Sequence, residues 1–151
     1  MRARIVPFAP AHLAAIAPGP FDAIAVEGLD LRALAAARAD VGPAWSAMAG
    51  DRILGCAGIV PLWRGVGAGW LFGGAELRRH PMLLHRAVAR GLPQAMRGLG
   101  LHRLQISVHE EFAASLAWVE RLGFVQEGAM PGYGPNGDTY IRYARIRHDR
   151  R

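Results

Sequence analysis

The clearest alternation of apolar and polar residues lies in residues 101–108. From Leu104 onward every second residue is apolar, and the positions between them hold Gln105 and Ser107. Successive side chains of a strand point to opposite faces of the sheet. The pattern therefore predicts a strand with one buried face.

A second pattern, apolar residues at helical spacing, runs through residues 81–99. Pro81 suits the first turn of a helix because it has no amide hydrogen to leave unpaired. Pro93 lies inside the same pattern, where a proline removes a hydrogen bond and costs roughly 3 kcal/mol. We therefore expect a helix over these residues with a kink or break near Arg90.

The rest of the chain predicts strands and helices in mixed order. Further strands are expected at residues 2–8, 44–49, 52–60, 67–76, from 124 onward and 139–147. Further helices are expected at residues 11–17, 31–39 and 110–122, while residues 21–28 predict no definite element. Asp30 is placed to cap the helix over 31–39. This order predicts one domain of mixed α/β type over residues 1–151.

Composition limits the class of protein. The chain has 151 residues, of which 52% are hydrophobic and 20% charged, as in an ordinary globular domain. No apolar run approaches the length that spans a bilayer, and prolines interrupt the apolar residues near the start. The one cysteine, Cys56, fits a reducing compartment and is expected to be a buried small hydrophobe. We expect a cytoplasmic protein with no membrane partner.

The charge balance is strongly basic. All 18 basic residues are arginine, and the net charge is +6. Such a balance permits phosphate-bearing cofactors, acidic proteins or nucleic acid as partners. No recognised nucleic-acid-binding motif accompanies the arginines, which are spread along the chain, and this argues against nucleic acid.

One basic turn stands between the predicted strand over 67–76 and the helix from Pro81. Its residues are Leu77, Arg78, Arg79 and His80. A helix N-terminus after such a turn offers free amides and a positive dipole end to phosphate. Our hypothesis is that this turn faces an anionic cofactor; the alternative is an ordinary connection with solvated arginines.

Residues 118–124, Trp-Val-Glu-Arg-Leu-Gly-Phe, resemble a segment of the GNAT-type N-acetyltransferases. A helix with this ending, a short strand, a glycine-rich loop and a last strand resemble the C-terminal half of that family, and the likeness covers about residues 44–147. It implies a mixed, mostly antiparallel sheet of six or seven strands flanked by helices. The strands over 67–76 and 101–108 would be its two splayed central strands. His80-Pro81 and residues 132–137 also look like a phage- or prophage-associated branch.

The resemblance implies acetyl-CoA as the acyl donor. The matching positions for cofactor binding are Leu77, Arg78, Arg79, His80, Met82, Leu83 and Phe112. The chain departs from the family pattern at four places: Pro81 and Leu83 stand where small residues belong, Phe112 stands where an asparagine is often found, and Val119 stands where a tyrosine is usual. The phenol of that tyrosine would protonate the leaving thiolate.

Acetylation of an amine needs a base for the ammonium proton and an acid for the thiolate. Glu76 and His109 lie at the expected ends of the splayed strands, where the base would act. Tyr133 and Tyr140 are the candidate acids. Simpler roles are also open: a surface carboxylate paired with Arg78 or Arg79 of the turn, a capping or solvated histidine, and packing tyrosines. The histidines show no metal-ligand spacing.

Three functions follow from these observations. The first is an acyl-CoA-dependent N-acyltransferase that acts on a small-molecule or peptide amine. The second is a non-catalytic GNAT-shaped protein for binding or phage assembly, of the internal virion type. The third is a basic nucleic-acid-binding domain. Monomer and homodimer are both compatible with the sequence.

Overall fold

The computed structural model describes residues 2–147. Its strands are β1 (Ala3–Pro7), β2 (Ala44–Ala49), β3 (Arg52–Trp63), β4 (Val66–Gly73), β5 (Arg103–His109), β6 (Val125–Met130) and β7 (Tyr140–Ile146). Its helices are α1 (Pro10–Ala14), α2 (Pro20–Ala25), α3 (Leu31–Val41), α4 (Pro81–Gly98) and α5 (Ala113–Arg121), with a 3₁₀ helix at Ala75–Arg79. The seven strands follow the order β1-β2-β3-β4-β5-β7-β6. The predicted mixed, mostly antiparallel α/β sheet is confirmed.

The parallel contact of the sheet joins β4 to β5. Residues 66–68 of β4 pair with residues 103–105 of β5. β4 is eight residues long and β5 seven, so both strands continue past the pairs that the structure describes. From Arg103 to His109, β5 is paired on its other side with β7. This short parallel contact agrees with the predicted pair of splayed strands.

The described chain contains two compact units. The first unit comprises residues 2–60 and Gly69–Ala87, and the second comprises Pro61–Ala68 and residues 88–147. β3, β4 and α4 each contribute residues to both units. That the whole chain folds as one domain stays a prediction.

The first unit has a core between its helices and strands. One cluster of buried side chains comprises Leu13, Ile16, Ala35, Cys56 and Phe72, and a second comprises Ala47, Ala49, Leu54 and Leu77. Cys56 is 1% exposed, which confirms it as a buried small residue. Burial raises the pKa of its thiol, so the thiol stays protonated.

The N-terminus of α3 is capped as the sequence predicts. The Asp30 carboxylate accepts hydrogen bonds from the amides of Arg32 (3.0 Å) and Ala33 (3.4 Å). These two amides would otherwise have no partner within the helix.

Removing this cap should destabilise the protein. Asp30→Ala should lower the free energy of unfolding by about 1 kcal/mol, because the two amides lose their acceptor. Asp30→Ser, which keeps a capping oxygen, is the matched control. Urea unfolding measures both variants, and equal stability of the alanine and serine variants would contradict the cap's role.

The second unit buries one face of α5 against its strands. Val119 and Leu122 are buried, whereas Phe112 and Leu116 are partly buried. The Tyr143 hydroxyl donates to the Glu120 carboxylate at 3.3 Å. This face of the β5–β7 sheet is therefore covered by a helix.

One expectation about a proline is wrong, and another is wrong in part. β3 runs on to Trp63 instead of ending at residue 60, and α4 continues through Pro93 without a break, while a kink near Arg90 stays a prediction. β2 pairs with β3 as far as Gly58, so Pro61 lies past the part of β3 that β2 covers. The missing N–H of Pro61 therefore costs no hydrogen bond to β2. In α4, Leu92 and Met96 are buried on either side of Pro93, and this burial favours the helix over the local cost.

The end of β4 also differs from the prediction. The strand stops at Gly73, and residues 75–79 form a 3₁₀ helix in place of a strand end and a loop. The Leu77 side chain packs so closely that a Cβ at Gly55 or Gly73 would lie 2.9 Å from it. Glycine at these two positions lets Leu77 enter the core, and this turns the chain out of the strand.

Two helix starts differ as well. α5 begins at Ala113, not at residue 110, because the preceding amides bond elsewhere: Glu110 N donates to Thr139 O (3.1 Å) and Glu111 N to the His109 ring (3.1 Å). Residues 20–25 form α2 where no definite element was predicted.

Candidate functional site

The predicted cofactor turn lies in the first unit, between β4 and α4. Leu77 is 6% exposed and its side chain belongs to the core. Its amide donates to Gly74 O (3.1 Å), and its carbonyl accepts from the His80 amide (3.0 Å). Leu77 therefore shapes the turn, and neither its side chain nor its amide is open to a ligand.

The arginines of the turn face solvent, as do the first residues of α4. Arg78, Arg79 and Met82 are exposed, whereas His80 and Leu83 are partly buried. The first amides of a helix have no partner within it, and the positive end of the helix dipole lies at the same place. This end of the first unit thus presents two guanidinium groups beside a helix N-terminus, a combination that suits phosphate.

A carboxyl group that sequence reasoning missed lies beside this turn. Asp22 of α2 accepts a hydrogen bond at Oδ1 from the Gly73 amide (3.1 Å). Gly19 N donates to Gly73 O (3.0 Å), so the start of α2 is tied to the end of β4. Burial raises the pKa of Asp22, while the hydrogen bond from Gly73 and the charge of Arg78 oppose that rise. The sequence signal was an aspartate in a first turn after Pro20.

Asp22 should make stability depend on pH. A carboxyl whose folded pKa is raised favours folding at a pH below its unfolded pKa, and this contribution is lost as the pH rises through the folded pKa. Asp22→Asn keeps an acceptor for Gly73 N and removes the buried charge, so we expect it to raise the free energy of unfolding at pH 7.

The control for this variant is Asp40→Asn, at an exposed position of α3. Urea unfolding between pH 3 and 7 should show a gain in stability for Asp22→Asn that grows as the pH rises above the ordinary aspartate pKa of 3.8. A gain of equal size in Asp40→Asn, or none in Asp22→Asn, would contradict this interpretation.

The predicted base Glu76 lies in the 3₁₀ helix of the first unit. Its carboxylate forms an ion pair with Arg52, with Nη1–Oε distances of 3.2 and 3.3 Å, and its side chain is 42% exposed. The sequence suggested an arginine partner from the turn, and the partner is instead Arg52 of β3. An exposed pair of this kind contributes little to stability, and the carboxylate remains within reach of solvent.

The other predicted base, His109, lies in the second unit at the end of β5. It is 6% exposed. Nδ1 accepts from the Glu111 amide (3.1 Å), and Nε2 lies 3.2 Å from Asp138 Oδ2. Since Nδ1 accepts, the ring proton belongs on Nε2, which donates to the carboxylate. The basic lone pair of His109 is thus already used to cap the turn after β5.

The two predicted acids lie beside His109. The ring of Tyr140 is 5.2 Å from that of His109, and the ring of Tyr133 is 5.3 Å from that of Tyr140, measured between centroids. The Ser107 hydroxyl donates to the Tyr133 phenol at 3.5 Å. Tyr140 is buried, whereas Tyr133 is 53% exposed, so the cluster presents the Tyr133 phenol to solvent.

Close backbone contact supports this cluster. A Cβ at Gly134 would lie 2.8 Å from the Tyr140 ring, so glycine is needed where the loop crosses the tyrosine. Phe112, a predicted cofactor residue, donates its amide to His109 O (3.0 Å) and is the N-cap residue that precedes α5. Its side chain is partly buried.

The structure thus brings three of the predicted residues together: His109, Tyr133 and Tyr140. Glu76 belongs to the first unit, where Arg52 is its partner. Sequence reasoning missed Ser107 and Asp138 as members of the cluster. The alternation along β5 placed Ser107 on one face with His109, but no sequence signal pointed to Asp138. Within residues 2–147 no group of three or more His, Cys, Asp or Glu residues is arranged to hold a metal ion.

Comparison by sequence finds no relative. No protein-family model matches the chain, and no curated protein matches it. Among the helices in residues 2–147, none has both the length and the apolar character needed to cross a membrane.

Comparison by structure finds clear matches. One is yncA from Salmonella typhimurium, solved with its cofactor acetyl-CoA: TM-score 0.76, 16% identity, covering 100% of this chain and 97% of that one. Another is a ribosomal-protein-alanine N-acetyltransferase from Brucella melitensis: TM-score 0.70, 20% identity, 95% and 99% covered. A third is an acetyltransferase of the GNAT family from Streptococcus pneumoniae: TM-score 0.71, 16% identity, 96% and 99% covered. Together with the strand order, these matches show that the chain has the fold of the GNAT-family acetyltransferases.

Proposed function

We propose that this protein is an acyl-CoA-dependent N-acyltransferase that moves an acetyl group from acetyl-CoA to the amine of a small molecule or peptide. The observation that carries the proposal is the likeness, over the whole chain, to yncA solved with acetyl-CoA. A fold alone does not determine an activity, so the residues must supply the chemistry.

The turn over residues 77–83 supplies the binding site for the cofactor phosphates. Arg78 and Arg79 would donate to the phosphate oxygens from their exposed guanidinium groups. The amides of Met82 and Leu83 would add donors at the positive end of α4, while Pro81 contributes none. Acetyl-CoA when bound supplies an activated thioester carbonyl.

The reaction joins the amine nitrogen to the acetyl carbon and breaks the carbon–sulfur bond. The amine proton passes to a base, and the sulfur leaves as a thiolate that takes a proton from an acid. In the first unit the candidate base is Glu76, because its carboxylate reaches solvent while the lone pair of His109 is engaged. In the second unit the candidate acid is Tyr133, the exposed phenol of its cluster.

His109 then acts as a positioning residue. Its hydrogen bonds to Glu111 N and Asp138 fix the turn after β5, and its ring packs on Tyr140. Tyr140 in turn contacts Tyr133. This chain of contacts holds the proposed acid in place.

The test combines binding and turnover. Calorimetric titration with acetyl-CoA and with CoA measures cofactor binding, and thiol release across a panel of amines measures transfer. We expect saturable binding of both and amine-dependent thiol release. Binding of neither molecule would contradict the proposal.

A second function, cofactor binding without catalysis, is favoured by one observation. Val119, which stands where the family's tyrosine is usual, is 4% exposed and buried in α5. Acetyl-CoA binding with no thiol release for any amine would favour this non-catalytic form. A role in a phage particle stays a prediction.

A further inference from the structure

Arg142 is a charged residue in the second unit whose Nε has no hydrogen-bond partner among residues 2–147. It lies in β7, paired with Ser107 of β5 on one side and Gly128 of β6 on the other. Its side chain is partly buried, and its Nε is buried with no hydrogen-bond partner among residues 2–147. A desolvated guanidinium donor without an acceptor is costly, so such a group calls for an explanation.

The polar neighbours of Arg142 already form hydrogen bonds with one another. Glu127, whose charge attracts Arg142, is held by Arg103 through bonds of 2.8 and 2.5 Å. Gln105 accepts two further bonds of 3.2 Å from the same arginine. The polar residues at this end of the face therefore hydrogen-bond one another, and Arg142 Nε has no acceptor among them.

The other end of the same face carries the tyrosine cluster. Residues paired across antiparallel strands share a face, as do residues two apart along a strand. Ser107, Arg142 and Tyr140 therefore lie on one face, and the Ser107 hydroxyl reaches Tyr133. A side chain added at Gly128 would meet no atom within 4 Å, so there is open space at the position paired with Arg142.

We infer that Arg142 binds a carboxylate group of the acceptor, so that the acceptor is an amine of the amino-acid class. This inference rests on the proposed acyl transfer. A guanidinium beside a hydroxyl and a phenol matches the acceptor oxygens of a carboxylate. A singly charged group fits better than a phosphate dianion, because the Glu127 and Asp138 carboxylates lie at either end of this face and would repel a second negative charge.

The test observes Arg142 directly. Because Arg142 Nε is buried, its N–H should give a resolved signal in the NMR spectrum of ¹⁵N-arginine-labelled protein, assigned through Arg142→Lys. The probes are N-acetyl-L-alanine, a product-like carboxylate, and N-acetyl-L-alaninamide, its neutral match. We expect the acid to shift the Nε signal to saturation and the amide to leave it unchanged.

Variants measure the strength of the contact. Arg142→Met should weaken binding of the acid by about tenfold or more, the scale of a lost charged hydrogen bond. Arg97→Met, which removes the same charge from an exposed position of α4, should bind like the wild type. Equal signal shifts with acid and amide would overturn the inference, and this comparison uses wild-type protein, so it does not depend on whether a variant folds.

The two proposals fail in different ways. Thiol release that is equally efficient, by kcat/KM, with an amino acid and its amide would overturn the carboxylate site and leave the acyltransferase standing. Selective binding of the acid without any thiol release would contradict acyl transfer and support the carboxylate site.

Discussion

Replacing Glu76 with glutamine should lower acetyl-transfer turnover by on the order of a hundredfold or more, while the fold stays intact. Glutamine keeps the size of the side chain and an acceptor for Arg52, but it cannot take a proton from the ammonium. The measurement is the rate of thiol release from acetyl-CoA at a saturating amine concentration.

Arg52→Gln is the matched control for this variant. Arg52 and Glu76 form one ion pair, so each of the two substitutions removes that ion pair. If Glu76 is the base, Arg52→Gln retains most of its turnover while Glu76→Gln loses it. Equal turnover in the two variants would show that the ion pair, and no proton transfer, is the role of Glu76.

His109→Ala should also lower turnover by on the order of a hundredfold, but for a different reason. It removes the ring that packs on Tyr140 and the cap on the Glu111 amide.

Asp138→Asn is the companion variant. It keeps an oxygen that can accept from His109 Nε2, so the His109 ring keeps its position. If His109 only positions other groups, Asp138→Asn retains the acidic limb of the wild-type pH–rate profile, whereas loss of that limb would assign proton transfer to the histidine.

A large effect is also expected on the binding of the cofactor. The double variant Arg78→Ala/Arg79→Ala should weaken binding of acetyl-CoA by roughly 1–3 kcal/mol, because each guanidinium would lose charge-assisted bonds to phosphate. Calorimetric titration measures the change.

The control for the double variant is Arg86→Ala/Arg97→Ala. It removes the same charge from exposed positions of α4. Arg79→Ala alone leaves the charge of Arg78 beside Asp22 in place. This variant therefore measures the loss of a phosphate contact without a change in the influence of Arg78 on Asp22. Unchanged affinity in a folded Arg78→Ala/Arg79→Ala variant would refute the assignment of the turn.

The order of elements could be predicted because it follows from short-range signals. Apolar alternation marked β5, and Asp30 marked the start of α3. The errors arose where tertiary contacts override local preference. Burial of Leu77 ends β4 at Gly73, and burial of Leu92 and Met96 carries α4 through Pro93.

The candidate site was predictable for residues at strand ends and much less so for their partners. His109 and Tyr140 are a register pair of β5 and β7, which strand alternation alone could not supply. Asp138 reaches His109 from a loop, and Arg52 reaches Glu76 from 24 residues away, so no spacing rule connects these pairs. The sequence did not single out Arg142, because only the structure shows which hydrogen bonds its neighbours make with one another.

Mass spectrometry of the amine after incubation with isotopically labelled acetyl-CoA observes acetyl transfer itself. We expect the labelled acetyl group on the nitrogen of an amine, with one free CoA released for each group transferred, and we expect Glu76→Gln nearly to abolish the labelled product. Thiol release without label on any amine, or no loss of acetyl-CoA at all, would overturn the proposed acetyl transfer.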